Sequence, residues 1–139
     1  MASRIPDTLY HQVAEDAGLQ CGYCRMPQQL ITYRLEVEHL RPSSKGGEDN
    51  RENLWLSCHK CNKVRSNRVN LTDPLSGKEV AIFNPRSDNW HEHFAWETNG
   101  PRIIGLTVRG RATVDGLRLN DDYHLTARKA WMATGLYPR

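Results

Sequence analysis

Apolar residues recur along this chain in more than one rhythm. From Asp7 to Ala17, Leu9, Val13 and Ala17 fall at intervals of four behind an aspartate cap, and Gly18 follows, which predicts a short amphipathic helix. From Ile31 to Val37 the period drops to two. Ile31, Tyr33, Leu35 and Val37 alternate with Thr32, Arg34 and Glu36, as in a half-buried strand, and this strand should end at Glu38-His39. A stretch rich in turn residues, Arg41 to Arg51, precedes a second apolar run at Leu54-Trp55-Leu56, so the two runs predict a hairpin with a long loop. Asn62 to Arg68 contain neither glycine nor proline and predict a helix beginning after Cys61 and crossing the hairpin.

The second half is patterned more weakly. Residues 80–84 and 93–98 read as short strands, and Asn99-Gly100 ahead of Arg102-Ile103-Ile104 predicts a hairpin turn. Thr107 is placed to cap a short helix. Tyr123, Ala127, Ala130 and Trp131 share one face of a last helix that should stop at Gly135. Trp90, Trp96 and Trp131 are expected in the core, and His91 and His93 as ordinary surface or strand histidines. The elements predict an α+β protein.

Length and composition narrow this further. A chain of 139 residues accommodates one domain, or one with an appendage, and a mean hydropathy of -0.70 means that its core is modest, so a staple is expected. No stretch approaches the roughly 18 consecutive apolar residues of a membrane helix. Met1-Ala2-Ser3-Arg4 lacks the apolar core of a secretory signal, so the expected location is the cytoplasm, with no membrane partner. The net charge of +3 permits a nucleic-acid partner without requiring one. Its distribution is more informative: residues 25–68 hold nine basic and five acidic side chains, a local +4, against -2 before and +1 after. A solvated face is the ordinary explanation of such a run.

That basic segment also holds the cysteines. Cys21 and Cys24 form one C-x-x-C pair, Cys58 and Cys61 another, with none left over. In a reducing compartment such pairs hold metal more often than they form disulfides, and two thiolate turns complete a tetrahedral zinc shell with no open position. Redox pairs or unrelated buried thiols are the alternatives. The 33 residues between the pairs require a folded substructure between the two turns.

Taken together, Cys21-x-x-Cys24, a strand ending in Glu38-His39-Leu40-x-Pro42, Gly46-Gly47, Glu52-Asn53-Leu54 and Cys58-x-x-Cys61-Asn62 resemble the four-cysteine HNH endonucleases over roughly residues 5–68. The resemblance implies the ββα-metal, or His-Me finger, core in residues 1–70, with residues 71–139 as a C-terminal α+β extension similar to those of small bacterial, cyanobacterial-type HNH proteins. It implies that His39 is the general base, a task its ordinary pKa of about 6.5 suits near neutral pH. Glu38 corresponds to a metal ligand that is usually Asp in the family. Neighbouring strand residues point to opposite faces, so serving one site from Glu38 and His39 calls for a twist or bulge. Asn62 stands at the family's third position as the second protein ligand, and Asn53 at the middle position, bracing the loop. An oxygen ligand set favours Mg²⁺ or Mn²⁺. His59, between the second pair of cysteines, reads first as a solvent-exposed spacer, with a donor behind the metal ligands or a stand-in for the third-position His as its alternatives.

Arg41, Lys45, Lys60, Lys63, Arg65 and Arg68 are the expected contacts to nucleic-acid phosphates, DNA being the first candidate. The implied activity is metal-dependent hydrolysis of phosphodiester bonds. Two alternatives stand beside it: a zinc-stapled binding module without catalysis, and a thiol redox protein.

Overall fold

The computed structural model describes residues 5–139, so the reading of Met1 to Arg4 lies outside the described residues. The first helix, α1 (Asp7–Asp16), buries Tyr10, Val13 and Ala14 on one face, with Ala17 just beyond its end. Pro6 rather than Asp7 occupies the cap position and makes no side-chain cap; Asp7 lies in the first turn, where an acid favours the positive end of the helix dipole. Gly18, at φ +67, ends the helix.

The strand expected over Ile31–Val37 is shorter and later. β1 (Glu36–His39) pairs antiparallel with β2 (Leu54–Ser57), in a register that sets Glu36 opposite Ser57 and His39 opposite Leu54. The ladder cannot extend back to Leu35, because its partner would be Cys58, which already leaves the sheet to cap the next helix. Residues 31–35 therefore run as irregular chain. The Gln28 side chain holds them, donating to the Tyr33 carbonyl at 2.7 Å and accepting from the Leu35 amide at 2.8 Å.

Helix α2 (His59–Arg65) begins inside the second C-x-x-C turn, before the start expected after Cys61. The Cys58 sulfur accepts from the Cys61 amide at 3.4 Å, so the metal turn and the helix cap are one structure. The helix ends at Ser66, which has φ 56.

In the second half, β3 (Asn70–Thr72) and β4 (Glu79–Ala81) form a hairpin whose first strand carries no clear sequence signal. Residues 82–84, expected in a strand, lie beyond the end of β4. A single turn, α3 (Trp90–His93), leads into β5 (Phe94–Trp96), which pairs with β6 (Ile103–Gly105) through the Asn99-Gly100 turn, Asn99 taking φ 58. Thr107 caps α4 (Val108–Gly116), accepting from the Gly110 amide at 3.0 Å.

The last helix, α5 (Asp122–Met132), turns a different face inward from the expected one. Tyr123 is 89% exposed, whereas Arg128 is fully buried, its guanidinium donating to the Pro101 carbonyl at 2.7 Å. The correction has a physical cause: a long cation can bury its stem when carbonyls meet its head, and the apolar pattern does not record that option.

One buried cluster runs through both halves. Tyr23 meets Phe83 edge-on, the Trp90 indole donates to the Tyr23 carbonyl at 2.9 Å, and the Tyr137 hydroxyl donates to the Cys24 carbonyl at 2.5 Å. Trp90 is buried, and Trp96 and Trp131 are partly buried against it and Tyr137. His91 and His93 part ways, toward Arg25 and Thr107 respectively, and form no chelate with each other. Among the described residues, no helix is long and apolar enough to cross a membrane.

Candidate functional site

Four thiols converge where the hairpin meets α1 and α2. Cys21 and Cys24 lie in the turn after α1, Cys58 follows β2, and Cys61 is in the first turn of α2. The Gly22 amide donates to the Leu56 carbonyl at 2.9 Å, which ties the first turn to β2; any side chain at Gly22 would meet the Trp55 ring at 2.5 Å. All four sulfurs lie within 4.8 Å of one another, and those of Cys24 and Cys58 are 3.8 Å apart. A zinc ion bonded at about 2.3 Å to four tetrahedral sulfurs sets them about 3.8 Å from one another. The spacing therefore fits a metal such as zinc.

Chemistry agrees with the spacing. Against burial, which raises it, hydrogen bonds with the other three thiols pull Cys21 well below the ordinary cysteine range, while hydrogen bonding to Cys21 and Cys24, with burial added, pushes the Cys58 and Cys61 thiols well above it. Four thiolates cannot share this volume without a cation, and a bound divalent ion would reverse the shift. Every ligand position would be filled by protein sulfur, which leaves no open position for catalysis.

The second cluster lies along the face between α2 and β1. His59, Asn62 and Arg65 are spaced one helical turn apart and meet β1 in order. His59 Nδ1 lies 2.7 Å from Glu36 Oε2, and Asn62 Nδ2 donates to Glu36 Oε1 at 2.9 Å. Arg65 donates to Glu38 Oε1, to the His39 carbonyl at 3.2 Å and to the Leu40 carbonyl at 2.5 Å. The Glu38 side chain is 1% exposed, and the Tyr23 hydroxyl donates to the same Oε1. Burial pushes the Glu38 carboxyl up, against the pull of Arg65 and Tyr23. Its second oxygen, Oε2, is buried without a hydrogen-bond partner.

His39 goes elsewhere. The β1–β2 ladder runs from Glu36 to His39 in continuous register, so no bulge turns His39 toward Glu38; His39 Nε2 instead lies 2.5 Å from Asp49 Oδ1 in the hairpin loop. Asn53 holds that loop in shape: its Oδ1 accepts from the Arg41 amide at 2.8 Å, and its Nδ2 donates to the Arg41 and Glu48 carbonyls at 3.1 and 2.9 Å. Gly47 permits the close return, since a Cβ there would lie 1.7 Å from the Arg41 carbonyl oxygen. The structure thus brings Asn62 to Glu36, Glu38 to Arg65 and His39 to Asp49. Asp49, Glu36 and Tyr23 were not singled out in the sequence. Asp49 sits among turn residues that explain themselves as turn residues, and its one signal is an acid in the loop that follows a candidate base.

One of the six expected phosphate contacts is corrected, and two others have partners within the chain. Arg65 is buried at 2% exposure and bonded to Glu38. Lys60 reaches the Leu117 carbonyl at 3.0 Å, the Arg118 carbonyl and Asp121 at 3.3 Å, which clamps α2 to the start of α5. Arg68 turns back onto the Val64 and Gly116 carbonyls at 2.7 and 2.8 Å. Arg65 therefore lies inside the fold, whereas Lys60 is partly buried and Arg68 stays exposed. Lys63 and Lys45 are exposed, and Arg41 is exposed while its Nε donates to the Lys45 carbonyl at 2.7 Å.

Residues 21–68 match the HNH endonuclease family. Two curated relatives are similar at 27% identity: the Septu protein PtuB of Bacillus mycoides, over 58% of this chain and 36% of that protein, and the CRISPR-associated endonuclease Cas9 of Corynebacterium diphtheriae, over 96% of this chain and 12% of that protein. The chain therefore spans about a third and about an eighth of the lengths of these relatives. No solved structure matches it. The resemblance carried by the cysteine pairs, Glu38-His39 and Asn62 is borne out over the matched segment, which is a small mixed helix and strand unit around clustered cysteines.

Proposed function

We propose that this chain is a metal-dependent endonuclease that hydrolyses phosphodiester bonds in nucleic acid, with DNA as its substrate. Residues 1–70 form the nuclease unit, of ββα-metal type, with zinc on the four cysteines; residues 71–139 are the extension. The observation that supports the reading is that the HNH-matching segment folds as β1, β2 and α2, with Glu38 and His39 closing β1 and Asn62 in the helix that follows the hairpin.

An ionised carboxylate only accepts hydrogen bonds, so Asp49 fixes the proton of His39 on Nε2 and leaves Nδ1 as the basic nitrogen. Nδ1 makes no hydrogen bond among the described residues and is available to take a proton from the attacking water. Glu38, through its unpartnered Oε2, and Asn62, through its amide oxygen, would hold Mg²⁺ or Mn²⁺. That ion supplies charge stabilisation at the phosphate and the leaving 3′ oxygen. Lys45, Lys63 and Arg41 bind flanking phosphates. The products carry 5′-phosphate.

One observation favours a second reading. Arg65 already neutralises Glu38, as it would in a zinc-stapled binding module that had lost its catalytic ion. Supercoiled plasmid incubated with the protein in Mg²⁺, Mn²⁺ or EDTA, beside His39→Ala, separates the two. Metal-dependent nicking that the variant loses supports the nuclease; tight binding without cleavage in either metal supports the module.

A further inference from the structure

Glu36 lies outside every role assigned so far, yet it is the acid that Asn62 touches. Its two oxygens are both engaged from the first two turns of α2: Oε1 by Asn62 Nδ2 at 2.9 Å and Oε2 by His59 Nδ1 at 2.7 Å. A carboxylate cannot donate, so the edge of the Asn62 amide that faces Glu36 must be the NH₂ edge. The carbonyl oxygen is then turned away from Glu36, and no hydrogen bond to it forms among the described residues. An asparagine without such a partner can present either edge, and only one edge binds a cation.

We propose that Glu36 is a positioning residue for Asn62: it orients the amide so that Oδ1 faces outward as a ligand for a hard divalent cation, and His59 holds the carboxylate in place. The proposal rests on the reading of Asn62 as a metal ligand. It places the device that prepares the oxygen on β1, two residues before Glu38, so that one strand both contributes a ligand and orients the other. Ligating groups are commonly held in this way by outer partners, whose removal lowers metal affinity about ten- to a hundredfold.

The test is Mn²⁺ binding, by calorimetry and by electron paramagnetic resonance of the free ion, to zinc-loaded full chain carrying Glu36→Ala, Asn62→Ala or both. Zinc content and thermal midpoint serve as folding controls. Asn62→Ala is expected to weaken Mn²⁺ binding, and Glu36→Ala to weaken it about ten- to a hundredfold. In the Asn62→Ala background, Glu36→Ala should have no further effect, because a residue that acts only through another loses its effect with it. Glu36→Gln keeps an acceptor for the Asn62 amide without the charge and should stay within about threefold of the parent, a small fraction of that outer-partner effect.

Equal losses from Glu36→Ala in both backgrounds would overturn the positioning role, since they would mean direct ligation or simple charge attraction. Unchanged affinity in Glu36→Ala, with Asn62→Ala weak, would overturn it as well while sparing Asn62 as a ligand. Unchanged affinity in Asn62→Ala would remove the ligand reading and the positioning role together.

Discussion

Arg65→Met removes the cation from the most deeply buried ion pair described, and its consequence can be worked from the contacts. The Arg65 and Glu38 side chains are 2% and 1% exposed, and the guanidinium also satisfies the carbonyls of His39 and Leu40. Removing one partner of such a pair leaves an uncompensated buried charge and costs about 3–5 kcal/mol. For a chain of this size that is roughly a 10–20 °C fall in thermal midpoint. Glu38 then gains most by protonation.

The sign follows from burial. Its carboxyl is already raised by desolvation, with Arg65 opposing, and loss of Arg65 raises it further. A group whose pKa is raised in the folded state gives its full stability below its unfolded pKa and loses it as pH climbs through the folded value. The variant should therefore be relatively more stable at pH 5 than at pH 7.5, with a steeper slope than the parent. Urea unfolding of zinc-saturated protein at several pH values measures both the cost and the slope. Adding Glu38→Leu to Arg65→Met should recover much of the loss, because replacing both partners with apolar groups is often neutral or stabilising. A cost under about 1 kcal/mol, or a slope of opposite sign, would refute the buried-pair account.

Other outcomes follow from the same geometry. Cys58→Ala should fail to fold as a zinc protein, and Co²⁺ loaded into the parent should give the visible spectrum of a tetrahedral tetrathiolate; an octahedral spectrum would sink the four-sulfur site. Asp49→Asn should lower cleavage at least about tenfold with zinc content unchanged, because the amide can stabilise the wrong tautomer of His39; an unchanged rate would show that Asp49 does not orient the base. Asp16 is held down to about 2 by hydrogen bonding to Arg51 and, secondarily, Arg86, so it stabilises above the unfolded carboxylate pKa and loses that contribution as pH falls toward 2. Asp16→Asn should flatten the stability curve between pH 4 and 2, and an unaltered acid limb by circular dichroism would count against the pair. Lys63→Ala should weaken DNA binding and lower its salt dependence, whereas Lys60→Ala should lower the thermal midpoint; fluorescence anisotropy and melting would expose a reversed pattern.

The sequence was most legible where chemistry is tied to spacing. Two C-x-x-C pairs allow few arrangements, and the structure gathers all four sulfurs. Elements with a local cause were legible too: the cap at Thr107 and the turn at Asn99-Gly100 involve only neighbouring residues. The misread elements were decided by distant partners. Ile31–Leu35 alternate like a strand, yet lack a ladder because Cys58 leaves the sheet; Arg65 looks like a surface cation until Glu38 and the carbonyls of His39 and Leu40 that receive it are known. Arg128 hid for the same reason, since only the Pro101 carbonyl makes its burial tolerable. Residues 21–68 were readable as chemistry, while the pairing of Glu36 with Asn62 and of His39 with Asp49 depends on which face of α2 and which end of the loop meet β1.

Helix α2 has seven residues, and within them the sulfur of Cys61, an amide at Asn62 and the buried guanidinium of Arg65 each need their own direction. At 3.6 residues per turn, one residue inserted between Cys61 and Arg65 would rotate everything after it by about 100°. Arg65 would then leave Glu38. This helix can therefore vary in side chain at Lys63 but not in length, and a deletion or insertion library across residues 58–68 should recover parental spacing almost alone.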